Sequence, residues 1–546
     1  VTPPAAPSAW APLGQRVFAV IWTATLVTNI GVWVRDVASG WLMTEMSPSP
    51  VMVALVQSAL TLPIFLLALP AGALADILDR RRILIAVQVL LLVVTLAMAL
   101  AVMADVMTPS LLLALTFLAG VGAAVMQPAF QAIVPELVPK PLLRPAVALN
   151  SLGINIARAI GPALGGAILV TAGVAAAYLV DVVSTLVVIL ALLWWRRAAP
   201  PAQMPAEGFW PAMATGLGYA LRSPALPRVL LRAAAFFLFG SAYWALLPLV
   251  AREALGADAA FYGLMLTAIG AGAVAGALLL PRLQRGRNPG AMVQAGSLVT
   301  ALAMAGLAFA PVQGLALVLL FAAGGAWIAV LTNLNVAAQS SLPNWVRARG
   351  LAVYLMVFYG AMTAGSALWG AVAQALSLTA ALAIAAAACA AVALLAARVA
   401  LPEGETDLTP SGHWPEPPVA APVEGERGPV MVTIAWRIAP EARDAFLQAV
   451  LDFARRRRRD GAFGWQIYED AAQPGHFTEV FHAASWLEHL RQHGRVTADD
   501  QAAQERLWRF QQGGGRPEVR HHLAARPGDG PAAVMDATGG AGSRAA

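Results

Sequence analysis

From Val17 to Arg398 the chain alternates apolar stretches of about 20 residues with short polar turns, the length an α-helix needs to cross roughly 30 Å of hydrocarbon. Twelve such stretches fall at 17–42, 51–74, 83–104, 109–130, 146–170, 172–195, 229–250, 260–281, 289–309, 313–338, 350–374 and 377–398. The pattern is interrupted at 196–228, where a Pro-rich run, AAPPAQMP, precedes the mildly amphipathic GFWPAMATGLGYALR. This connection reads as a helix lying at the membrane interface between two six-helix halves, 17–195 and 229–398; a disordered tether is the other reading. Beyond it, 399–429 is rich in Pro, Glu and Gly and reads as a linker.

The remainder, 430–525, has the periodicity of a soluble domain. Strands are predicted at Val430–Ile438, Gly464–Glu469, His476–Phe481 and Glu518–Leu523, with helices at Glu441–Arg458 and Ser485–His493. The order βαββαβ is ferredoxin-like. The expected fold class is an all-α membrane protein with twelve transmembrane helices in two six-helix halves, plus a small α+β ferredoxin-like C-terminal cytosolic domain. A short cytoplasmic segment, 1–16, precedes it, and 526–546 reads as a disordered tail.

Composition supports a lipid solvent. Of 546 residues 59% are hydrophobic and 12% charged, against about 25% charged in soluble proteins, which excludes a plain cytosolic enzyme. The single cysteine, Cys389, excludes an internal disulfide and a cysteine-based metal site. Arginines collect in alternate loops: Arg80–Arg82, Arg144 with Lys140, Arg196, Arg197 and Arg222, Arg282, Arg285 and Arg287, then Arg347 and Arg349, while the other loops offer essentially Arg252. Positive loops stay cytoplasmic, so both termini are expected there. The first stretch, interrupted by Asn29, Arg35 and Asp36, is not a cleavable signal. Lys140 is the one lysine among 36 basic residues, an arginine bias like that of a GC-rich bacterial genome, and the expected location is a bacterial inner membrane. No GxxxxGK[ST] run occurs, so an ion gradient must drive any uphill work, and neither cofactor nor nucleic acid is expected.

An ionisable group at bilayer depth costs about 2.5–3.5 kcal/mol on insertion scales, so each needs a reason. Arg35 and Asp36 lie late in the first stretch, Arg158 in the fifth and Asp181 in the sixth. Helical spacing places Asn29, Trp33 and Asp36 on one face, Ser151, Asn155 and Arg158 on a second, and Tyr178, Asp181 and Thr185 on a third. The proton-coupling candidates are Asp36 and Asp181, with Arg158 biasing their protonation or meeting an anionic substrate group; a structural ion pair is the alternative. Asn29, Trp33, Asn155, Tyr243, Trp244, Trp327, Asn333 and Tyr354 are candidates for a cavity taking a bulky, partly polar molecule. Trp and Tyr are equally ordinary at membrane interfaces.

The turn Gly72-Ala-Leu-Ala-Asp76-Ile-Leu-Asp79-Arg80-Arg81-Arg82 resembles the signature loop of the major facilitator superfamily, where it helps set the inward/outward equilibrium. Asp79 stands where the second glycine is usual, and Asp76 is placed to meet the positive N-terminus of the third span. The run Gly161-Pro162-Ala-Leu-Gly165-Gly166 is similar to the antiporter motif of drug and proton exchangers; physically, it permits close helix packing and a local bend. Gln127-Pro-Ala-Phe-Gln131-Ala-Ile-Val-Pro135-Glu136, with a shorter counterpart from Gln339, resembles the transmembrane secretion effector group, which includes enterobactin-exporter-like proteins. The resemblance implies a secondary active transporter that exports an amphipathic small molecule, a siderophore, drug or secondary metabolite, by alternating access with proton antiport.

The C-terminal segment resembles the antibiotic-biosynthesis-monooxygenase-like domain that accompanies this group, which carries an alternative: a membrane-tethered enzyme or regulator. Haem-degrading members use an asparagine on the first strand, and Val430–Ile438 has none, so the domain is expected to be non-catalytic and to act through self-association as a homodimer or through gating. His489 and His493 sit four apart on a helix, a metal-binding spacing, but no third ligand is evident and solvent-facing histidines are expected instead. Arg455–Arg459 is read as a charged face toward water or the inner leaflet.

Overall fold

A computed structural model describes residues 8–196 and 209–525, apart from 78, 224, 311, 344, 397, 399–400, 402–406, 416 and 420–421. The expected disordered end, 526–546, and most of the Pro-rich run before 209 lie outside the described residues. The chain forms two units.

The first unit holds α1 (Arg16–Met46), α2 (Pro50–Ile77), α3 (Arg80–Met103), α4 (Pro109–Leu137) and α5 (Leu143–Trp194). After the connecting α6 (Phe209–Arg222) it continues with α7 (Leu226–Leu249), α8 (Ala259–Leu283), α9 (Pro289–Phe309), α10 (Gln313–Ser340), α11 (Arg347–Ala375) and α12 (Leu378–Ala396). Among the described residues eleven helical segments are long and apolar enough to cross a membrane. Large apolar side chains point outward: Leu278 is 75% exposed and Phe309 71%. Only a hydrocarbon solvent makes that surface favourable.

The number eleven, against twelve apolar stretches, arises at α5. This 52-residue element is interrupted at Gly173, whose φ of 82° and ψ of 176° belong to a region open essentially to glycine alone. Both limbs run along α1. On the first, Trp22 Nε1 donates to the Leu149 carbonyl at 2.8 Å and Trp33 packs on Gly161; on the second, Ser184 packs on Gly31 and the Arg16 guanidinium lies 5.6 Å from the Trp194 ring. The chain therefore doubles back at Gly173.

The second unit comprises Trp210–Pro227, Ser340–Gly350 and the chain from Gly404 onward. Its strands β1 (Val430–Arg437), β2 (Phe463–Glu469), β3 (His476–Ala483) and β4 (Glu518–Leu523) form one sheet in the order β2-β3-β1-β4, every neighbouring pair antiparallel. Helices α13 (Arg443–Arg459), α14 (Trp486–Arg495) and α15 (Ala498–Trp508) complete it. Alternation along β1 buries Val430, Val432, Ile434 and Trp436 against Phe446, Val450 and Phe453 of α13. The sequence reading has no counterpart to α15; its start is a capping box in which Thr497 and Asp500 each bond the other's backbone N–H. Part of the expected linker is structured too: Ser411 N–H donates to the Val496 carbonyl at 3.0 Å, and Trp414 Nε1 donates to Gln504 at 2.7 Å.

Within this unit the Arg459 guanidinium stacks over Tyr219 of α6 at 5.3 Å and that of Arg495 over Trp345 at 4.6 Å; Tyr219 and Trp345 meet edge to face at 5.6 Å. The basic run at the end of α13 thus departs from the charged-face expectation. Arg455 is exposed, but Arg457 and Arg459 are buried, Arg457 pairing Glu479 at 3.3 Å and Arg459 pairing Asp460 at 2.8 Å and Asp500 at 2.7 Å. These partners are remote in sequence or hidden by local charge alternation.

Asp500 also accepts from Arg456 and Thr497, and the guanidinium groups of Arg459 and Arg456, together with Thr497, outweigh burial and hold it down at about 2. Replacing Asp500 with Asn should therefore destabilise the tail by roughly 3 kcal/mol, because it leaves buried Arg459 with less counter-charge. Thermal unfolding of the full chain in detergent reads this. The stabilisation is fully present above the unfolded carboxyl value near 4 and is lost as pH falls toward 2, so Asp500→Asn should matter least in strong acid.

Candidate functional site

The end of α1 carries the Arg35-Asp36 pair into the helix packing. Arg35 is 4% exposed and Asp181, on the second limb of α5, is fully buried. Arg35 bridges two carboxylates, donating to Asp36 at 3.0 Å and to Asp181 at 3.2 Å. Thr95 of α3 donates to the same Asp181 oxygen at 3.1 Å, and Ser39 and Tyr178 hydroxyls meet at 3.2 Å beside it. Asp181 is closed in, whereas the Asp36 side chain keeps 30% exposure. The unit is one cation and two carboxylates, of which Asp36 is the part-exposed one.

Arg158 stands apart from this cluster. It lies within electrostatic range of Tyr359 on α11 and Tyr243 on α7. The sequence reading offers two arrangements, Arg158 acting on Asp36 and Asp181 or a structural ion pair; the ion pairs observed are those of Arg35. Residue 155, one turn before Arg158, spends its amide on the Ser151 carbonyl at 2.9 Å.

Of the other cavity candidates, Trp327 meets Tyr243, Trp244 and Phe237 edge to face and Phe236 at a tilt, and Tyr243 and Trp244 are tilted against each other. The Tyr243 hydroxyl and the Trp244 indole are neighbours, their rings 5.5 Å apart, and among the described residues the buried Tyr354 hydroxyl has no hydrogen-bond partner. Buried polar atoms normally find a partner. Asn333 is buried and used internally, its amide donating to Ala329 and its oxygen accepting from Gln284 at 3.1 Å. Trp33 packs against Gly161, and Asn29 is half-buried on α1.

The Gly-Pro run of α5 faces two helices. A Cβ on Gly161 would stand 2.5 Å from Trp33 and one on Gly165 3.1 Å from Val34, both on α1. A Cβ on Gly166 would meet the Ala259 carbonyl of α8 at 2.7 Å, and one on Gly263 of α8 would meet the Pro162 carbonyl at 2.5 Å. Small residues here let α5 and α8 approach backbone to backbone. On the opposite side of the bundle α2 meets α11: Thr61 and Thr363 hydroxyls are 2.7 Å apart, Ser58 donates to the Thr363 carbonyl at 3.0 Å, and Ser49 donates to Gln374 at 2.7 Å. Trp41 and Tyr262 stack at 6.0 Å nearby in the fold. All these contacts between the halves lie toward the arginine-poor end of the helices.

At the arginine-rich end, Asp79 caps α3 by accepting from the Arg82 N–H at 2.8 Å, the place the sequence reading gave to Asp76. Arg80 pairs Glu136 of α4 at 2.9 Å, and Arg81 donates to the Leu192 and Leu193 carbonyls at 2.8 and 2.9 Å, closing the C-terminus of the second α5 limb. The side chains of Gly72 and Asp76 lie outside the described residues.

In the tail, His489 is 2% exposed, contrary to the solvent-facing expectation, and His521 of β4 joins it and His493. The signal that could have found His521 is the pairing of β4 with β1, which sets His521 opposite the inward-facing Val432.

Comparison with known proteins follows this geometry. The transmembrane secretion effector family profile matches residues 7–528. The staphyloferrin A transporter of Staphylococcus aureus (strain NCTC 8325 / PS 47) is 23% identical over 288 residues, 53% of this chain and 72% of that one. Among solved structures, the first unit's fold is shared with a POT family peptide transporter (13% identity, TM-score 0.59, 71% of this chain and 96% of the other). It is shared also with the nucleoside transporter NupG (14%, 0.58, 70% and 99%) and with a bacterial homologue of the human lysosomal transporter Spinster in an inward-facing conformation (16%, 0.54, 71% and 97%). At these identities the likeness is one of fold.

Proposed function

Because this chain belongs to the transmembrane secretion effector family, a family of major facilitator transporters, we propose that it exports an anionic amphipathic small molecule by alternating access, coupled to proton entry. The observation that carries the reading is Arg158 of the first half lying within electrostatic range of Tyr243 and Tyr359 of the second, with the Trp244 indole beside Tyr243. A guanidinium with aromatic hydroxyls suits a carboxylate- or catecholate-bearing ligand with an apolar perimeter. The staphyloferrin A transporter supports a siderophore as the substrate class.

In this reading the two limbs of α5 count as separate spans, giving twelve helices in two halves. A straight 52-residue helix would be about 78 Å long, far beyond one bilayer crossing. With an even number of spans and arginine-rich loops inside, both termini are cytoplasmic in a bacterial inner membrane, and the contacts between halves close the outer end. The tail is a ferredoxin-like domain with a regulatory, self-associating role rather than a catalytic one. Asp36 is the proton site, held by Arg35 and backed by Asp181.

Transport into inverted vesicles tests this. Uptake of an iron-free siderophore should depend on an acidic interior. Asp36→Asn should remove that dependence with folding retained; unchanged coupling would end the proton role. Arg158→Ala should cut transport by about 10–100-fold, the weight of a charged hydrogen bond of about 1.5–3 kcal/mol. Full transport by Arg158→Ala would end the substrate role.

A further inference from the structure

The tail holds a second candidate centre that transport does not use. His489 and His493 project from the same face of α14, and β4 brings His521 to them, so that one nitrogen from each lies within 4.8 Å of the others. The rings are 4.9 Å (His489–His493) and 4.8 Å (His489–His521) apart between centroids. Among the described residues neither nitrogen of buried His489 has a partner at hydrogen-bond geometry, the Gln492 amide being its nearest polar neighbour on α14. An imidazole so placed forfeits its solvation for nothing within the protein.

The cluster opens on a cavity of about 280 Å³ whose walls include Trp414, Trp436, Phe481 and Trp508. His413 also lines it but is committed, its Nδ1 to Ser411 at 2.7 Å and its Nε2 to Gln504 at 3.0 Å. Of the two guanidinium groups in the cavity lining, Arg457 is tied to Glu479 and covered by Trp414, Phe453 and Phe481, and Arg516 lies over Trp508 at 4.7 Å.

We propose that His489, His493 and His521 bind one divalent first-row transition-metal ion, with its remaining coordination positions directed into the apolar cavity. Three imidazoles plus an open position is an established arrangement for zinc-like ions, with metal–nitrogen distances of about 2.0–2.1 Å. Tetrahedral ligation needs nitrogens about 3.3 Å apart, a closure that rotation of the half-buried His493 and His521 rings can supply. The open positions would take an anionic or neutral donor small enough for the cavity.

The full chain, purified through a tag without histidines and stripped with EDTA, is titrated with Co²⁺ and followed by its visible absorption, with Zn²⁺ as competitor. One ion per chain is expected. His493→Gln and His521→Gln should each weaken binding by at least about tenfold. His522→Gln should leave it unchanged, because alternation along β4 sends His522 to the other face, where it sits 3.3 Å from Thr433. Near-UV circular dichroism of the metal-free variants checks that the tail keeps its packing. Absence of a saturable one-to-one site in the native chain, or binding that survives both His493→Gln and His521→Gln, overturns the assignment.

Discussion

Replacing Arg35 with Met should unfold or severely destabilise the membrane bundle and abolish transport. Asp181 is fully buried and Arg35 is its counter-ion at 3.2 Å, so the substitution leaves a buried carboxylate with hydroxyl partners alone, Thr95 and Ser184. Removing one member of a buried ion pair costs about 3–5 kcal/mol. Asp181→Asn alone should cost less, since Asp36 still neutralises Arg35 at 3.0 Å. The double variant Arg35→Met with Asp181→Asn should recover part of the stability, giving a non-additive cycle with a coupling of roughly 1–3 kcal/mol. Thermal unfolding in detergent measures all three. Costs that simply add would show that the two side chains do not act as a pair. The double variant should still fail in transport: recovery of folding separates the structural part of the cluster from its charge-switching part.

The apolar pattern was enough to place the helices, because twenty-residue hydrophobic runs have few alternatives in water or lipid. It could not say which polar side chains meet. Arg158 and Arg35 look equivalent in sequence, each the one cation inside an apolar stretch; helix rotation and the return of α5 at Gly173 decide that Arg35 reaches Asp181 while Arg158 comes within range of Tyr243 and Tyr359. Three residues separate the expected cap, Asp76, from the observed one, Asp79, because α2 continues to Ile77 before the chain turns. In the tail, strand positions were legible from alternation, yet α15 was missed: its charged sequence, ADDQAAQERLW, has little apolar face, and its capping box is what marks its start. The third histidine was hidden for a different reason. His489 and His493 are local neighbours, whereas His521 arrives through the pairing of β4 with β1, a long-range register that one sequence does not specify.

A disulfide between positions 61 and 363 should stop the transporter reversibly. The Thr61 and Thr363 hydroxyls lie 2.7 Å apart on α2 and α11, so cysteines there are close to the separation a disulfide spans, about 3.5–4.5 Å between Cβ atoms. The background is simple to make. Cys389, the single native cysteine, is buried and bonds the Ser297 carbonyl at 3.5 Å, a contact that Cys389→Ser keeps. In that background Thr61→Cys with Thr363→Cys should cross-link under mild oxidation, lose transport to background level, and regain it with a thiol reductant. The physical reason is that alternating access requires the arginine-poor ends of α2 and α11 to part while the opposite ends close, and packed helices pass between two arrangements rather than stretch. The α5–α8 contact supplies a steric counterpart: Gly263→Val would drive side-chain atoms into the Pro162 carbonyl, 2.5 Å from the Cβ position, and should favour the separated arrangement. One variant holds that end shut and the other pries it open, so accessibility of a cysteine placed between the halves should change in opposite directions. Transport that persists in the fully cross-linked protein would mean that this end of α2 and α11 never opens, and the export cycle would need a different route.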